Sequence, residues 1–202
     1  MAIKNVVFDV GNVLVRWSPE EITRLTFGEV DELQALAKSL FHGEIWLDLN
    51  KGLMTEHEAK QRYQQQHALS DAMVERLFLN IKHTLTMLEG SQRLLERLKA
   101  AGYGVYALTD NVLEIVEYLK TTHDFWPLFD GAIVSAEEGV LKPMPEIYQA
   151  LLQRFDLRGE ETVFLDDMPR NVEGAIALGI HAIQFEDAVQ GEHSLKQLGL
   201  QF

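Results

Sequence analysis

Val163-Phe164-Leu165-Asp166-Asp167-Met168-Pro169-Arg170-Asn171 is the stretch whose reading decides the fold. An apolar run of this length, bounded by a turn signal, reads as a buried strand. It ends in two adjacent carboxylates. Pro169 and the run from Asn171 to Gly179 read as the helix that follows. Acids at the C-terminal tip of a parallel strand lie where open α/β sheets bind ligands. Two like charges side by side repel, and a divalent cation satisfies both. A second such tip opens the chain, where Val6-Val7-Phe8 runs into Asp9. Together they suggest a metal-assisted enzyme with an acidic nucleophile.

Outward from these tips, the chain divides in two. Beyond Glu89 helix and strand signals alternate. Ser91 to Ala101 is a helix closed by Gly102, Gly104 to Thr109 a strand, and Val112 to Thr121 a helix. Gly131 to Ser135 is a strand, Pro145 to Phe155 a helix, and His181 to Phe185 a last short strand. Such alternation predicts a Rossmann-like parallel sheet covered by helices on both faces, in the α/β class. Between Arg16 and Met87 no convincing strand occurs. Leu33, Leu36, Ala37 and Leu40 recur at helical spacing, as do Val74, Leu77, Phe78 and Ile81. Ser18-Pro19-Glu20-Glu21 and Thr55-Glu56-His57-Glu58 read as capping boxes, and Ser70 opens a further helix. The expected organisation is a core of residues 1–15 and 88–202, with a helical cap inserted over 16–87.

Composition narrows the chemistry. Of 202 residues none is cysteine, which excludes disulfides, a thiol nucleophile and thiolate metal sites, and fits a cytoplasmic chain. The first residues carry no signal-peptide pattern, and no window approaches the roughly 18 apolar residues of a membrane span. A net charge of −13 repels a nucleic-acid backbone. It repels a small phosphate ester too, unless the site carries local positive charge. Seven histidines without metal-ligand spacing make no zinc site. Nothing in the pattern sets an oligomeric state.

A parallel sheet gathers its strand tips, so Asp9, Thr109, Lys142 and Asp166/Asp167 are expected to converge. Their chemistry is complementary. A carboxylate attacks phosphorus, a hydroxyl and backbone N–H groups hold phosphoryl oxygens, and a lysine neutralises both. An acid pair holds Mg²⁺, which takes oxygen ligands. Catalysis is then mostly positioning and charge stabilisation.

The ordered set resembles the haloacid dehalogenase superfamily. Its four segments here are Asp9-Val10-Gly11-Asn12-Val13-Leu14, Ala107-Leu108-Thr109-Asp110-Asn111, Gly139-Val140-Leu141-Lys142-Pro143, and Phe164 to Asn171. They span the whole core, and the insertion matches the family's helical cap. The Asp-x-Gly-Asn-Val opening, with Phe41-His42-Gly43-Glu44 and Asn50-Lys51-Gly52, looks most like bacterial phosphatases of the α-D-glucose-1-phosphate phosphatase type. The phosphatase domain of soluble epoxide hydrolase is a looser relative. The resemblance implies that Asp9 is the nucleophile and forms an aspartyl-phosphate. Thr109, with Asp110 and Asn111 beside it, matches the phosphate-binding segment, and Lys142 the lysine bridging nucleophile and phosphate. Asp9, Asp166, Asp167 and the Gly11 carbonyl match the Mg²⁺ ligands, with Asn171 near the metal. The implied substrate is a small phosphorylated metabolite, such as a sugar phosphate.

Two departures stand out. Most family phosphatases carry aspartate where Gly11 stands, as general acid for the leaving alcohol and base for water. Asp110 stands where relatives often have asparagine. Its backbone N–H is expected to face phosphate, and its carboxylate to face solvent or cap the next helix. It is also the first candidate to replace the missing acid. In the cap, His42, Trp46 and Asp48 are candidates to face the substrate. Two rivals stay open. One is carbon–halogen hydrolysis by Asp9, which needs no metal and leaves Asp166/Asp167 without a purpose. The other is a weakly active, metabolite-binding member, for which Gly11 speaks. A phospho-accepting receiver domain is disfavoured by the late acid pair and the large insertion.

Overall fold

The computed structural model describes residues 2–202. Five parallel strands form one sheet: β1 (Asn5–Phe8), β2 (Gly104–Thr109), β3 (Gly131–Val134), β4 (Thr162–Asp166) and β5 (His181–Gln184). Their order is β3-β2-β1-β4-β5. The first strand in sequence thus lies at the centre, with no open edge. Val6 and Phe8 face one core with Val105, Ala107, Val163 and Leu165; Val7 faces the other with Leu108, Ile133 and Phe164. Burial on both faces is why these strands read as unbroken apolar runs rather than alternating ones. At the sheet edge β5 is different, with His181 and Gln184 exposed.

Register aligns the tips. Phe8 lies beside Ala107 of β2 and Leu165 of β4. The Asp9 N–H donates to the Leu165 carbonyl at 2.9 Å. Asp9 and Asp166, each one step past this row, therefore emerge side by side.

The helices are α1 (Pro19–Phe27), α2 (Leu33–Phe41), α3 (Glu44–Asn50), α4 (Glu56–His67), α5 (Asp71–Thr84), α6 (Ser91–Ala100), α7 (Leu113–Thr122), α8 (Ser135–Glu138), α9 (Pro145–Arg154), α10 (Pro169–Ile176) and α11 (Ala188–Gln197). Helices α1 to α5 follow β1 directly. Thr55 and Glu58 form a complete capping box. At Ser18 only half of the expected box forms: its hydroxyl accepts from Glu21 N–H, while the Glu21 carboxylate turns to Arg16. The chain enters and leaves this helical segment through one narrow neck. Arg16 N–H donates to Thr86 C=O and Leu88 N–H to Leu14 C=O, both at 2.8 Å.

Some boundaries differ from the sequence reading. β3 stops at Val134 because Ser135 begins the one-turn α8. α10 starts at Pro169 as read, proline being preorganised for the first helical position, but ends at Ile176, short of Gly179. α11 was not anticipated: its polar sequence shows little periodicity, yet Asp187 caps it by accepting from Val189 and Gln190 N–H.

The helical segment also touches the core through the turn after α3. The Ser135 hydroxyl donates to the Asn50 carbonyl at 2.6 Å and accepts from Asn111 N–H at 2.9 Å. Gly52 sits at φ +67°, and a Cβ there would lie 2.1 Å from the Ala136 carbonyl oxygen. Gly52→Ala is therefore expected to destabilise the protein by about 1–3 kcal/mol. A denaturant melt showing no loss would mean that the turn shifts off α8 without cost.

Candidate active site

The buried lysine is the centre of the site. The Lys142 side chain is 1% exposed, with Nζ 3.0 Å from Asp9 Oδ1 and 2.7 Å from Asp166 Oδ2. It also donates to the Leu108 carbonyl at 3.2 Å and lies over the Phe164 ring. Burial alone would lower its pKa, but Asp9, Asp166 and Asp110 outweigh burial and hold it above the ordinary lysine value. Lys142 stays charged throughout the physiological range.

The carboxylates feel the opposite pressure. Burial pushes Asp9 well above the usual carboxylate range; Lys142 opposes this, and Asp166 and Asp167 add to it. Burial also raises Asp167, against a hydrogen bond from Asn12 Nδ2 at 3.1 Å and with the Asp166 charge adding to the rise. Asp166 is fully buried and well supplied with donors. Met168 N–H reaches Oδ1 at 2.8 Å, and Asn171 Nδ2 reaches both oxygens at 3.0 and 3.1 Å. Tyr148 holds Asn171 in turn, donating to its backbone carbonyl at 2.8 Å.

Oxygen atoms of Asp9, Asp166 and Asp167 lie within 4.8 Å of one another. Against these three carboxylates stands one lysine, leaving two negative charges unmatched in a buried place. Hard oxygen donors with no nitrogen or sulfur, carrying that excess, fit a small divalent cation such as Mg²⁺.

A cavity of ≈ 430 Å³ opens above these groups. Asp9, Gly11, Asp110, Asn111, Lys142 and Asp167 line its floor. Thr109 closes β2 and is buried, but does not line the cavity. Asp110 departs from expectation. Its carboxylate neither faces solvent nor caps α7; it accepts from Lys142 N–H at 3.0 Å. Val112 caps α7 without a side-chain bond, and Asn111 Oδ1 takes the Val112 N–H. A half-buried amide in the Lys142 loop needs an acceptor, and Asp110 is the one in reach. Burial raises the Asp110 pKa, although Lys142 opposes it.

Of the three cap candidates, His42 and Trp46 line the cavity and Asp48 does not; Asp48 lies 3.8 Å from Arg62. Among the lining residues that escaped the sequence reading are Asn12, Trp17 and Arg170. Asn12, at φ +53°, accepts from Trp17 N–H through Oδ1 while donating to Asp167. The Gly11-Asn12 pair was a legible signal for such a left-handed turn. Arg170, exposed at the cavity's edge, supplies the local positive charge that a −13 chain needs to admit an anion.

Asp9, Lys142, Asp166 and Asp167 thus converge at the strand tips of one parallel sheet. The chain belongs to the haloacid dehalogenase-like hydrolase family, whose model matches residues 3–179. Sesquiterpene phosphatase astK of Aspergillus oryzae is 28% identical, with 96% of each chain covered. Flavin mononucleotide hydrolase 1 of Arabidopsis thaliana is 27% identical over 79% of this chain and 64% of its own length. Other relatives are much longer, and the chain spans as little as 14% of them. Among solved structures, a variant of a HAD family enzyme from Bacteroides thetaiotaomicron, in complex with magnesium and inorganic phosphate, superposes with a TM-score of 0.81. It is 23% identical, covering 96% of this chain and 99% of its own. Among the described residues no helix is long and apolar enough to cross a membrane.

Proposed function

We propose that this protein is a Mg²⁺-dependent phosphatase, cleaving a small phosphate monoester through an aspartyl-phosphate on Asp9. The observation that carries this reading is Lys142, buried and bonded to Asp9 and Asp166 at once. Relatives named as a phosphatase and a flavin mononucleotide hydrolase support it, as does a like-folded enzyme that holds magnesium and phosphate.

In the first step an Asp9 carboxylate oxygen attacks phosphorus, and the bond from phosphorus to the alcohol oxygen breaks. The alcohol leaves with that electron pair and takes up a proton. In the second step a water oxygen attacks phosphorus, the bond to Asp9 breaks, and phosphate leaves. Lys142 opposes the burial that raises Asp9 and offsets phosphoryl charge, and the Asp110 N–H, just past Thr109 at the tip of β2, holds a phosphoryl oxygen, the Asn111 N–H being taken by Ser135. Asp9, Asp166, Asp167 and the Gly11 carbonyl would hold Mg²⁺, which when bound stabilises charge developing on the phosphoryl oxygens. Residues 16–87 act as a cap over a core of 1–15 and 88–202, excluding bulk water. The sugar alcohol implied by the finer sequence resemblance is weighed against an apolar one below.

Chelation tests the reading. Hydrolysis of aryl phosphates should vanish in excess chelator and return with Mg²⁺; equal turnover in both would remove the metal from the reaction. Binding should also stabilise the fold, by about 2.7 kcal/mol at 100 times Kd. The sign with pH follows from Asp9 and Asp167, both raised in the metal-free fold. A raised acid binds protons more tightly in the native state, so metal-free stability falls as pH rises from the ordinary carboxylate range through the raised value. The Mg²⁺-induced rise in Tm should therefore be larger at pH 8 than at pH 5.

Gly11 sets the leaving-group dependence. A Cβ there would meet only the Trp17 Cβ, at 3.6 Å, an ordinary contact. The backbone thus has room for a Cβ, and Gly11→Asp should speed hydrolysis of primary alkyl phosphates by about 100-fold while changing aryl phosphates little. If the parent already hydrolyses both alike, another residue donates the proton, and Asp110→Asn should then slow the alkyl esters selectively.

A further inference from the structure

The cavity changes character with height. Above the acidic floor its wall includes Trp17, Phe41, Trp46, Leu47, Ile115 and Leu141. Three of these form a rigid aromatic block. Trp17 and Trp46 stack at 5.4 Å with 13° between their planes. Phe41 meets both edge-on, at 88° and 81°. Phe41 and Trp46 are almost fully buried, so the block is held by packing on the side away from the cavity.

Much of the polar capacity beside this block is already engaged, while His42 and Arg170, both exposed, line the cavity as well. Asn12 is bonded at both ends, to Trp17 N–H and to Asp167. Asn50 Nδ2 donates to the Trp46 carbonyl at 2.8 Å, and its own backbone carbonyl takes Ser135. Asn111 Oδ1 is held by Val112 N–H. A polyhydroxylated alcohol pressed against the three rings would lose water to a face that offers its hydroxyls no partner. A hydrocarbon would lose nothing and bury its surface.

We propose, building on the phosphatase reading, that the substrate is the phosphate monoester of an apolar alcohol, its hydrocarbon laid along the Trp17–Phe41–Trp46 block and its phosphate on the Lys142 floor. The volume of ≈ 430 Å³ falls within the range of about 300–1,000 Å³ common for small-molecule sites. The charged headgroup and the apolar tail are thus matched to the two ends of one cavity.

The test separates binding from chemistry. Non-hydrolysable n-alkylphosphonates, methyl to octyl, are titrated into the Mg²⁺-loaded wild-type protein by calorimetry. Burial of one methylene strengthens affinity roughly fourfold, so Kd should fall by about that factor per carbon until the cavity is full. Hexylphosphonate should also bind more tightly than glucose 6-phosphate. A gain below about twofold per methylene over the first four carbons, or tighter binding of the sugar phosphate, overturns the inference. Trp17→Ser, at a partly exposed position, should reduce the gain per methylene; an unchanged slope also overturns the placement on the aromatic block. The matching alkyl and phenyl phosphates are then assayed for turnover. Chain-length-dependent binding with no hydrolysis of any ester leaves the apolar subsite standing and removes the phosphatase reading instead.

Discussion

Asp9→Asn is expected to lower phosphate-ester turnover by roughly 10,000-fold or more, the scale on which loss of a covalent nucleophile acts. The same change should leave the metal-free fold as stable as before, or more so. Asp9 is buried with two carboxylates nearby and only Lys142 to balance them. An amide there keeps the shape and removes one unmatched charge. Loss of activity with an undiminished Tm therefore distinguishes a nucleophile from a structural acid. Mass spectrometry of acid-quenched enzyme should find phosphate on Asp9 in the parent and none in the variant. A variant that retains a tenth of parental turnover would place the nucleophile elsewhere.

Lys142→Met is expected to act on stability as strongly as on rate. Methionine fills much the same volume but leaves Asp9 and Asp166 facing each other without the cation that lies 3.0 and 2.7 Å from them. Breaking a buried pair from one side costs about 3–5 kcal/mol. For a chain of this size that is a fall in Tm of roughly 10 °C. The deficit should depend on pH in a set direction. Without the lysine, Asp9 is raised further in the native state. The native fold then binds protons more tightly than the unfolded chain, and stability drains as pH rises above the ordinary carboxylate range. Melts at pH 5 should show a smaller deficit than melts at pH 8. Mg²⁺ should recover part of the stability but not the turnover. An unchanged Tm at pH 8 would mean that Lys142 does not neutralise the acids.

Much of this site was legible because its residues sit at the ends of apolar runs. Val6 to Phe8, Val105, Ala107, Leu108 and Val163 to Leu165 are buried, so each strand announces itself and the polar residue after it marks the tip. Parallel pairing does the rest, by aligning the tips in space. What stayed illegible depends on contacts across long separations. That the Asp110 carboxylate holds the Lys142 amide, 32 positions away, has no signature in either segment. Trp17 reads as an apolar residue preceding a helix cap. Only its stacking on Trp46, from α3, turns it into a cavity wall. Helix α11 was missed for a local reason: its first turn is defined by the Asp187 cap rather than by an apolar stripe.

The central position of β1 has a consequence for how the protein is made. Of the five strands β1 is made before the others, yet its neighbours β2 and β4 come from far along the chain. Asn12 and Asp167, bonded across the site, are 155 residues apart. Helices α1 to α5 can pack early from local contacts, and by joining residues near 16 and 86 at the neck they shorten the loop that β1 must close. The acid cluster still has to wait for Asp166 and Asp167. Until most of the chain has been translated, Asp9 has neither its lysine nor its acidic neighbours. A chain that stops short of β4 therefore carries no assembled acid cluster, which needs β4 beside β1.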